Sequence, residues 1–500
     1  MLTLEATLGL DDQHTQTAYT ELNRQFINGH WVDGRETATI DNLNPFTEAV
    51  IHTLRSAGTA DVDAAFDAAK KTSSVWANTN PLVRRDILLN AATILQERQE
   101  EFIHWLTQET GSTYLKGLLE VQQSRDILLE ASSFPTRMHG RTTASTIDGK
   151  ETYVYRKPLG VVSLISPWNF PLYLSMRTIA PALAVGNSMV VKPASQSLVT
   201  GGTIIAKLLE EAGVPAGVFN VVVGRSEIMG DYFTAHPYSR MVSFTGSTPV
   251  GKGIGRIAGE GLKKSALELG GNNVFIVLDD ADVDKAVDGA VFGRFLHQGQ
   301  VCMATNRILI HESRYDEFRT KFVARVKQLP YGDPADKNTV VGPLIDQKAV
   351  QRILGILQSA VADGAVVETG NVANGNVLQP TVLSGVTKAM RVFREEIFGP
   401  AVGLVSFATD AEAIGLANAT DFGLSGALYT QDIYRGMQLA RQVETGMMHI
   451  NDQSANDEIH TPFGGEKSSG TGRFGGDFIL DELTTVQWVS VQKVAREYPF

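Results

Sequence analysis

Four separated segments carry side chains that a single reaction could use. The first, FLHQGQVCMATNR, holds Cys302, the only cysteine in the 500-residue chain. A thiolate is a strong nucleophile, whereas a lone cysteine is by default a small buried hydrophobe. The second, LELGGNN, sets Glu268 between Leu267 and Leu269, just before two glycines. A carboxylate in such company loses hydration, its pKa rises, and it suits a base. The competing reading is an edge-strand Glu facing solvent. The third, SPWNFP, places Asn169 in a turn among aromatics. There its amide can donate to a developing oxyanion, or simply cap the turn. The fourth, EEIFGP, offers Glu396 as an acceptor for sugar hydroxyls with Phe398 beside it for stacking, against the plainer reading of an acidic loop. His297 stands just upstream of Cys302 and raises a Cys-His hydrolase. No Asn or Asp orienter can be named for it, so a solvated or helix-packed histidine is the better account. No metal-ligand spacing such as H-E-x-x-H occurs, and no metal is expected.

Distant segments can meet only on a suitable scaffold. One helix is expected from Thr59, with Val62, Ala65, Phe66 and Ala69 on one face. A longer one runs from Pro81 until Gly111 stops it. The stretch TASTIDGKETYVYRKPLG then reads as a hairpin turning at Asp148-Gly149. Short apolar runs follow, alternating with helical stretches: GVVSLISP, NSMVVKPAS, GVFNVVVG and SRMVSFTGST. That alternation predicts a parallel sheet with helices on both faces. A second series, from NNVFIVLDDADVD through NRILIHESR and AVGLVSFATD to GLSGALYT and GMMHIND, predicts a second α/β unit. TTVQWVSVQ alternates alone near the C-terminus and calls for pairing with the hairpin or with another subunit. The first residues are polar and aperiodic, as in an extended lead.

The glycine loops need weighing. GSTPVGKG nearly fits a P-loop, but Gly253 stands where a hydroxyl would bind magnesium, so that reading fails. GIGRIA sits too far past its strand for a dinucleotide fingerprint, and a glycine-containing helix packed on the sheet accounts for it better. Gly246 and Ser247 are better placed, between a strand and a helix opened by Pro249. Free N–H groups there, with the Ser247 hydroxyl, form an anion site that fits a pyrophosphate.

Composition excludes several classes. A net charge of -11, from 44 basic and 55 acidic residues, offers no footprint for nucleic acid. No apolar run approaches the roughly 20 residues of a membrane helix, and the acidic start does not read as a signal peptide. A single cysteine forbids an intrachain disulfide, which suits the reducing cytoplasm.

Taken together and in order, PWNFP, FTGST, LELGG, GQVC, EEIFGP and PFGGEKSSGTGR resemble the aldehyde dehydrogenase superfamily across nearly the whole chain. The resemblance implies an α/β fold: a Rossmann-like cofactor domain (1–134 and 159–270), a second α/β catalytic domain (271–475) and a small β oligomerisation arm (135–158 and 484–500). It implies NAD- or NADP-dependent oxidation of an aldehyde to its acid by a homodimer or homotetramer. Cys302 would attack the aldehyde, Asn169 and the Cys302 N–H would hold the oxyanion, and Glu268 would activate water to hydrolyse the thioester. Trp168, Lys192, Ser195, Gly224, Phe244, Gly246, Ser247 and Gly251 match positions lining the dinucleotide. Glu396 and Phe398 match those at the nicotinamide ribose.

Two departures bear on specificity. Many NAD-preferring members carry Glu three residues after the lysine of the KP pair; here KPASQ puts Ser195 there. Glu would bind the ribose hydroxyls and repel a 2′-phosphate, and serine does neither, so NADP should be tolerated. SMRTIAPALAVGN and GQVCMATNR look like the branch that oxidises aromatic aldehydes such as benzaldehyde and vanillin. Phe170, Leu174, Phe295, Val301, Met303 and Phe463 would then form an apolar sleeve. Arg177 replaces an aromatic and is shared with semialdehyde dehydrogenases, where it could bind a substrate carboxylate; pairing with a loop acid is the alternative. A CoA-acylating member would generally lack Glu268, and a silent structural member would not need Cys302, Glu268 and Asn169 together.

Overall fold

The computed structural model describes residues 18–500, so most of the expected polar lead lies outside the described residues. The short apolar runs are strands buried on both faces, which is what a parallel sheet between helix layers requires. Val161–Ile165, Ser188–Lys192, Phe219–Val221, Ser239–Thr245 and Lys264–Glu268 pair in parallel within an eight-stranded sheet. From Val161–Ile165 the chain steps outward through Ser188–Lys192 to Phe219–Val221. It then returns to the other side for Ser239–Thr245 and Lys264–Glu268. The crevice where strand order reverses is where open α/β sheets bind ligands. The register aligns Ile165 with both Lys192 and Phe244, and Thr245 with Glu268, so their carboxyl ends share one edge.

A seven-stranded sheet follows, with Asn273–Val277 and Thr305–His311 adjacent and parallel at its centre. Only Leu269 to Asn272 separate Glu268, at the carboxyl end of the first sheet, from Asn273, at the amino end of the second. Cys302 lies just before Thr305–His311, at that same amino edge. The helix Pro171–Val185, buried along its whole length, packs under the crevice and begins two residues after Asn169.

The lone C-terminal strand finds its partner in the hairpin. Thr484–Gln492 pairs antiparallel with Lys150–Pro158 along its full length, and Arg141–Thr143 completes a three-stranded arm. The outer face of that strand stays open, with Trp488 65% exposed beside Val486. One expectation is corrected. The helix expected from Pro81 to Gly111 is two, Pro81–Glu97 and Gln99–Thr110, because Arg98 leaves helical geometry at φ -102°, ψ 16°. Its guanidinium stacks on Tyr19 at 4.0 Å and pairs with Glu211, contacts that periodicity within one segment cannot register.

The arm's construction predicts the effect of truncation. Removing residues 484–500 strips one edge of Lys150–Pro158 of its hydrogen bonds. Size-exclusion chromatography should then show soluble aggregates replacing the native peak, with faster proteolysis inside the hairpin.

Candidate active site

The loop before Cys302 is held in an unfavourable conformation. His297, Gln298 and Gly299 follow one another with φ of 49°, 57° and 71°. For the two non-glycine residues this costs roughly 1–2 kcal/mol each, so the surroundings must impose it. Arg294, fully buried, donates to the carbonyls of Thr305 at 2.8 Å and Gly299 at 3.1 Å, and to that of Gly399. Gln298 donates to the carbonyls of Gly111 and Pro343 at 3.1 and 2.9 Å, and Gln300 accepts from the Ile345 N–H at 2.9 Å. Asn273 holds the Cys302 carbonyl at 2.7 Å and that of Ala304 at 2.9 Å. A Cβ at Gly271 would collide with the Cys302 carbonyl and one at Gly270 with the Glu396 carboxylate. The two glycines of LELGG thus let the Cys302 loop and Glu396 close on the link between the sheets.

The three sequence-predicted catalytic groups converge here. Cys302 is only partly accessible, and burial, with Glu268 and Glu396 nearby, pushes its thiol up to about 12. Glu268 is 3% exposed, and neither carboxylate oxygen makes a hydrogen bond. Burial raises it to about 8, against a smaller opposing pull from Arg177 and Arg473. Asn169 is 5% exposed and donates one amide hydrogen to the Gln300 carbonyl at 2.9 Å. Its second amide hydrogen is left for another acceptor. The Cys302 N–H is taken by no carbonyl among the described residues. A thiol, an unpaired carboxylate with raised pKa and two free N–H donors can form, stabilise and hydrolyse an acyl thioester.

Most of the residues expected on the cofactor side lie at or just beyond the carboxyl edge of the first sheet. Lys192 is buried, donates to the Ser226 hydroxyl at 3.1 Å, and is lowered by burial to about 8. Ser247 is the N-cap of the helix Thr248–Glu260 and makes no side-chain cap bond, and Pro249 removes one N–H from the first turn. Phe244 is buried in the strand leading to Gly246, where a Cβ would strike the Phe244 ring. Glu396 accepts from the Gly271 N–H at 2.9 Å and is raised by burial to about 7. Trp168 and Phe398 meet edge to face at 5.5 Å. Ser195 is exposed and shares an open cleft with Thr39, Asp41, Arg225 and Ser226. Gly224 and Gly251 have a packing reason: a Cβ would strike Met229 at the first and Leu269 at the second. A helix N-terminus, a buried lysine and a buried carboxylate around one crevice fit a dinucleotide, whose phosphates and ribose hydroxyls need those groups.

Phe170, Leu174, Val301, Met303 and Phe463 are buried in one apolar cluster, with Cys302 packed against it. Phe295 is not among them. It ends the helix Val283–Phe295 and packs with Phe322 in a separate core beside the second sheet, because the chain turns sharply after it. Of the two expectations for His297, solvation fails: it is buried, against the N-cap residue of the helix Pro171–Val185. It packs edge-on to Phe170 at 5.4 Å, and its ring nitrogens make no hydrogen bond, with the Asn169 carbonyl near but not completing one. Burial and the Lys116 charge hold its pKa well below the usual range, so it offers no cation to Cys302. Arg177 pairs with Asp457 and donates to the Tyr173 hydroxyl at 2.8 Å, which itself donates to Asp457 at 2.6 Å. Tyr173 and Asp457 escaped sequence reasoning, as did Arg294, Asn273 and Arg225. Tyr173, four residues before Arg177 on one helix, was the legible signal; Asp457, far along the chain, had none.

The aldehyde dehydrogenase family profile matches residues 31–489. The benzaldehyde dehydrogenase YfmT of Bacillus subtilis is 46% identical over 482 residues, covering 96% of this chain and 99% of that one. A vanillin dehydrogenase of Corynebacterium glutamicum is 47% identical over 475 residues, covering 95% and 98%. The crystal structure of an NAD-dependent benzaldehyde dehydrogenase from Corynebacterium glutamicum superposes with a TM-score of 0.87 at 45% identity, covering 94% and 98%. With its strand-end crevice, its half-buried thiol and its buried amide and carboxylate, this chain belongs to the aldehyde dehydrogenase family.

Proposed function

We propose that the protein oxidises aromatic aldehydes of the benzaldehyde and vanillin kind to their acids, using NAD or NADP. The observation that carries this is Glu268, buried without a partner beside a thiol that faces an apolar cluster. The cytoplasmic homodimer or homotetramer expected from the sequence, and its division into cofactor domain, catalytic domain and arm, are part of the same reading. The exposed outer strand of the arm supports the oligomer.

At rest the Cys302 thiol keeps its proton, since burial and two nearby carboxylates disfavour the thiolate. Glu268 is the base within electrostatic reach. With its pKa near about 8, it takes the thiol proton as sulfur bonds the aldehyde carbon. The Asn169 amide and the Cys302 N–H receive the oxyanion. A bound nicotinamide would supply the two-electron acceptor for the hydrogen on that carbon; Lys192 and Glu396 would hold ribose hydroxyls, and the Gly246–Thr248 turn a phosphate. The acyl group then stays on Cys302 until Glu268, having passed the thiol proton to solvent, draws a proton from water; the water oxygen bonds the acyl carbon, the C–S bond breaks, and the sulfur regains a proton as the acid leaves.

Above about pH 8 Glu268 is ionised, and below it the acid form dominates. Turnover should therefore rise about tenfold per pH unit up to that point and level off beyond it. Glu268→Gln should abolish the rise; a profile unchanged in that variant would remove Glu268 from the chemistry.

Substrate class is tested against its main rival. Arg177 is already engaged by Asp457 and Tyr173, and a substrate carboxylate entering there would meet the Asp457 charge. Benzaldehyde should exceed succinate semialdehyde in kcat/KM by at least about a hundredfold, on the order expected when a buried charge goes unpaired. The reverse preference would overturn the aromatic reading.

Ser195 and Arg225 share a cleft also lined by Asp41 and Glu227, and Arg225 is the cation there that supports tolerance of a 2′-phosphate. Ser195→Glu should lower kcat/KM for NADP about tenfold or more while sparing NAD, by placing like charge at the phosphate. NADP use that survives the change intact would sink the account.

A further inference from the structure

The proposed oxyanion donor, Asn169, sits in an irregular turn, and nothing local to that turn explains how it keeps its place. The helix that follows, Pro171–Val185, has no side-chain cap of its own, and Phe170 at its N-cap position adopts φ -126°, ψ 64°. The anchoring comes from another helix, Tyr114–Ala131. Lys116 and Glu120, one turn apart on it, are an ion pair with both side chains 0% exposed. The Lys116 ammonium also donates to the Asn169 carbonyl at 2.8 Å. One Glu120 oxygen accepts from the N–H groups of Leu172 at 2.9 Å and Tyr173 at 3.2 Å, doing from a distance what a capping residue would do. Lys116 further lies over the Phe170 ring at 4.3 Å, the aromatic that also meets His297.

Stability alone is a weak reason to keep such a pair. Desolvating two charges is expensive, and well-packed apolar replacements of buried pairs are often neutral or stabilising. What apolar residues cannot do is grip a carbonyl and two amide hydrogens on either side of Phe170. A displacement of the order of an ångström at a catalytic donor is enough to lower rates strongly.

We propose that Lys116 and Glu120 are positioning residues that clamp the Asn169–Tyr173 segment, so that the Asn169 amide and the Phe170 wall face Cys302 in working geometry. The lysine tethers the main chain of Asn169, and the glutamate fixes the first turn of the helix beyond it. This rests on Asn169 being the oxyanion donor.

The test separates tether from cap. Lys116→Met with Glu120→Gln removes the ammonium and both charges while leaving an amide oxygen to accept from Leu172 and Tyr173. Lys116→Gln with Glu120→Gln is a second, more polar form of the same change. With benzaldehyde and NAD, kcat should fall about 10- to 100-fold in either form, a range set by loss of a positioned donor. The dissociation constant for NAD and the unfolding midpoint should stay close to those of the unaltered protein. In an Asn169→Ala background the same changes should lower kcat by less than about twofold, because residues acting as a unit are not additive. Equal losses in both backgrounds, or a loss that follows weakened NAD binding or a lowered midpoint, would overturn the clamp. A large loss in Asn169→Ala with none in the paired variants would overturn the clamp and leave the oxyanion role standing. Full turnover in Asn169→Ala would overturn both.

Discussion

The geometry of the site depends on a close approach of backbone to backbone. Glu268 ends a strand of one sheet and Asn273 begins a strand of the next, with Gly270 and Gly271 between them. Any side chain on either glycine would occupy space held by the Cys302 carbonyl or the Glu396 carboxylate. That contact sets Glu268, Cys302 and Glu396, the proposed base, nucleophile and ribose acceptor, around one short link. Parallel register does the rest, since it brings Ile165, Lys192, Thr245 and Glu268 to a common edge. The crevice they border is the place where the strand order reverses.

Dehydration governs the chemistry of the groups assembled there. Burial is the largest influence on Cys302, Glu268, Glu396, Lys192 and His297 alike, and in each it favours the neutral form. Such dry surroundings suit donors and bases fixed in advance rather than recruited from solvent. Its fixed donors need rigid support. The strained residues before Cys302 are held by Arg294, Gln298 and Gln300, and the turn at Asn169 by Lys116 and Glu120. In both places a buried polar side chain from elsewhere grips main-chain carbonyls.

The substrate side follows a different rule. Arg177 borders the apolar cluster beside Phe463, and Asp457 and Tyr173 engage it. The guanidinium also lies over Phe463 at 3.9 Å, so its flat face extends the aromatic wall. Its charge is thus met within the protein, as the proposed preference for a neutral ring requires.

Much was legible in the chain itself. Continuous apolar runs specify strands buried on both faces, and their alternation with helical stretches specifies two parallel sheets, because those patterns have few other solutions. Cys302, Glu268 and Asn169 became candidates together, through the order of motifs that resembles the aldehyde dehydrogenases; taken singly, each also fitted a plainer role. What the sequence could not determine is which groups pair across distance. Lys116 and Glu120 have the spacing of an ordinary exposed helix pair, yet they are fully buried. Phe295 reads as a wall beside Cys302, but the sharp turn after it sends its ring into another core. Arg98 breaks a helix whose apolar stripe runs on unbroken, through contacts with Tyr19 and Glu211. Local pattern records how a segment buries its own apolar face. Which polar partner meets it, and whether water is excluded when they meet, is decided only when the chain has closed on itself.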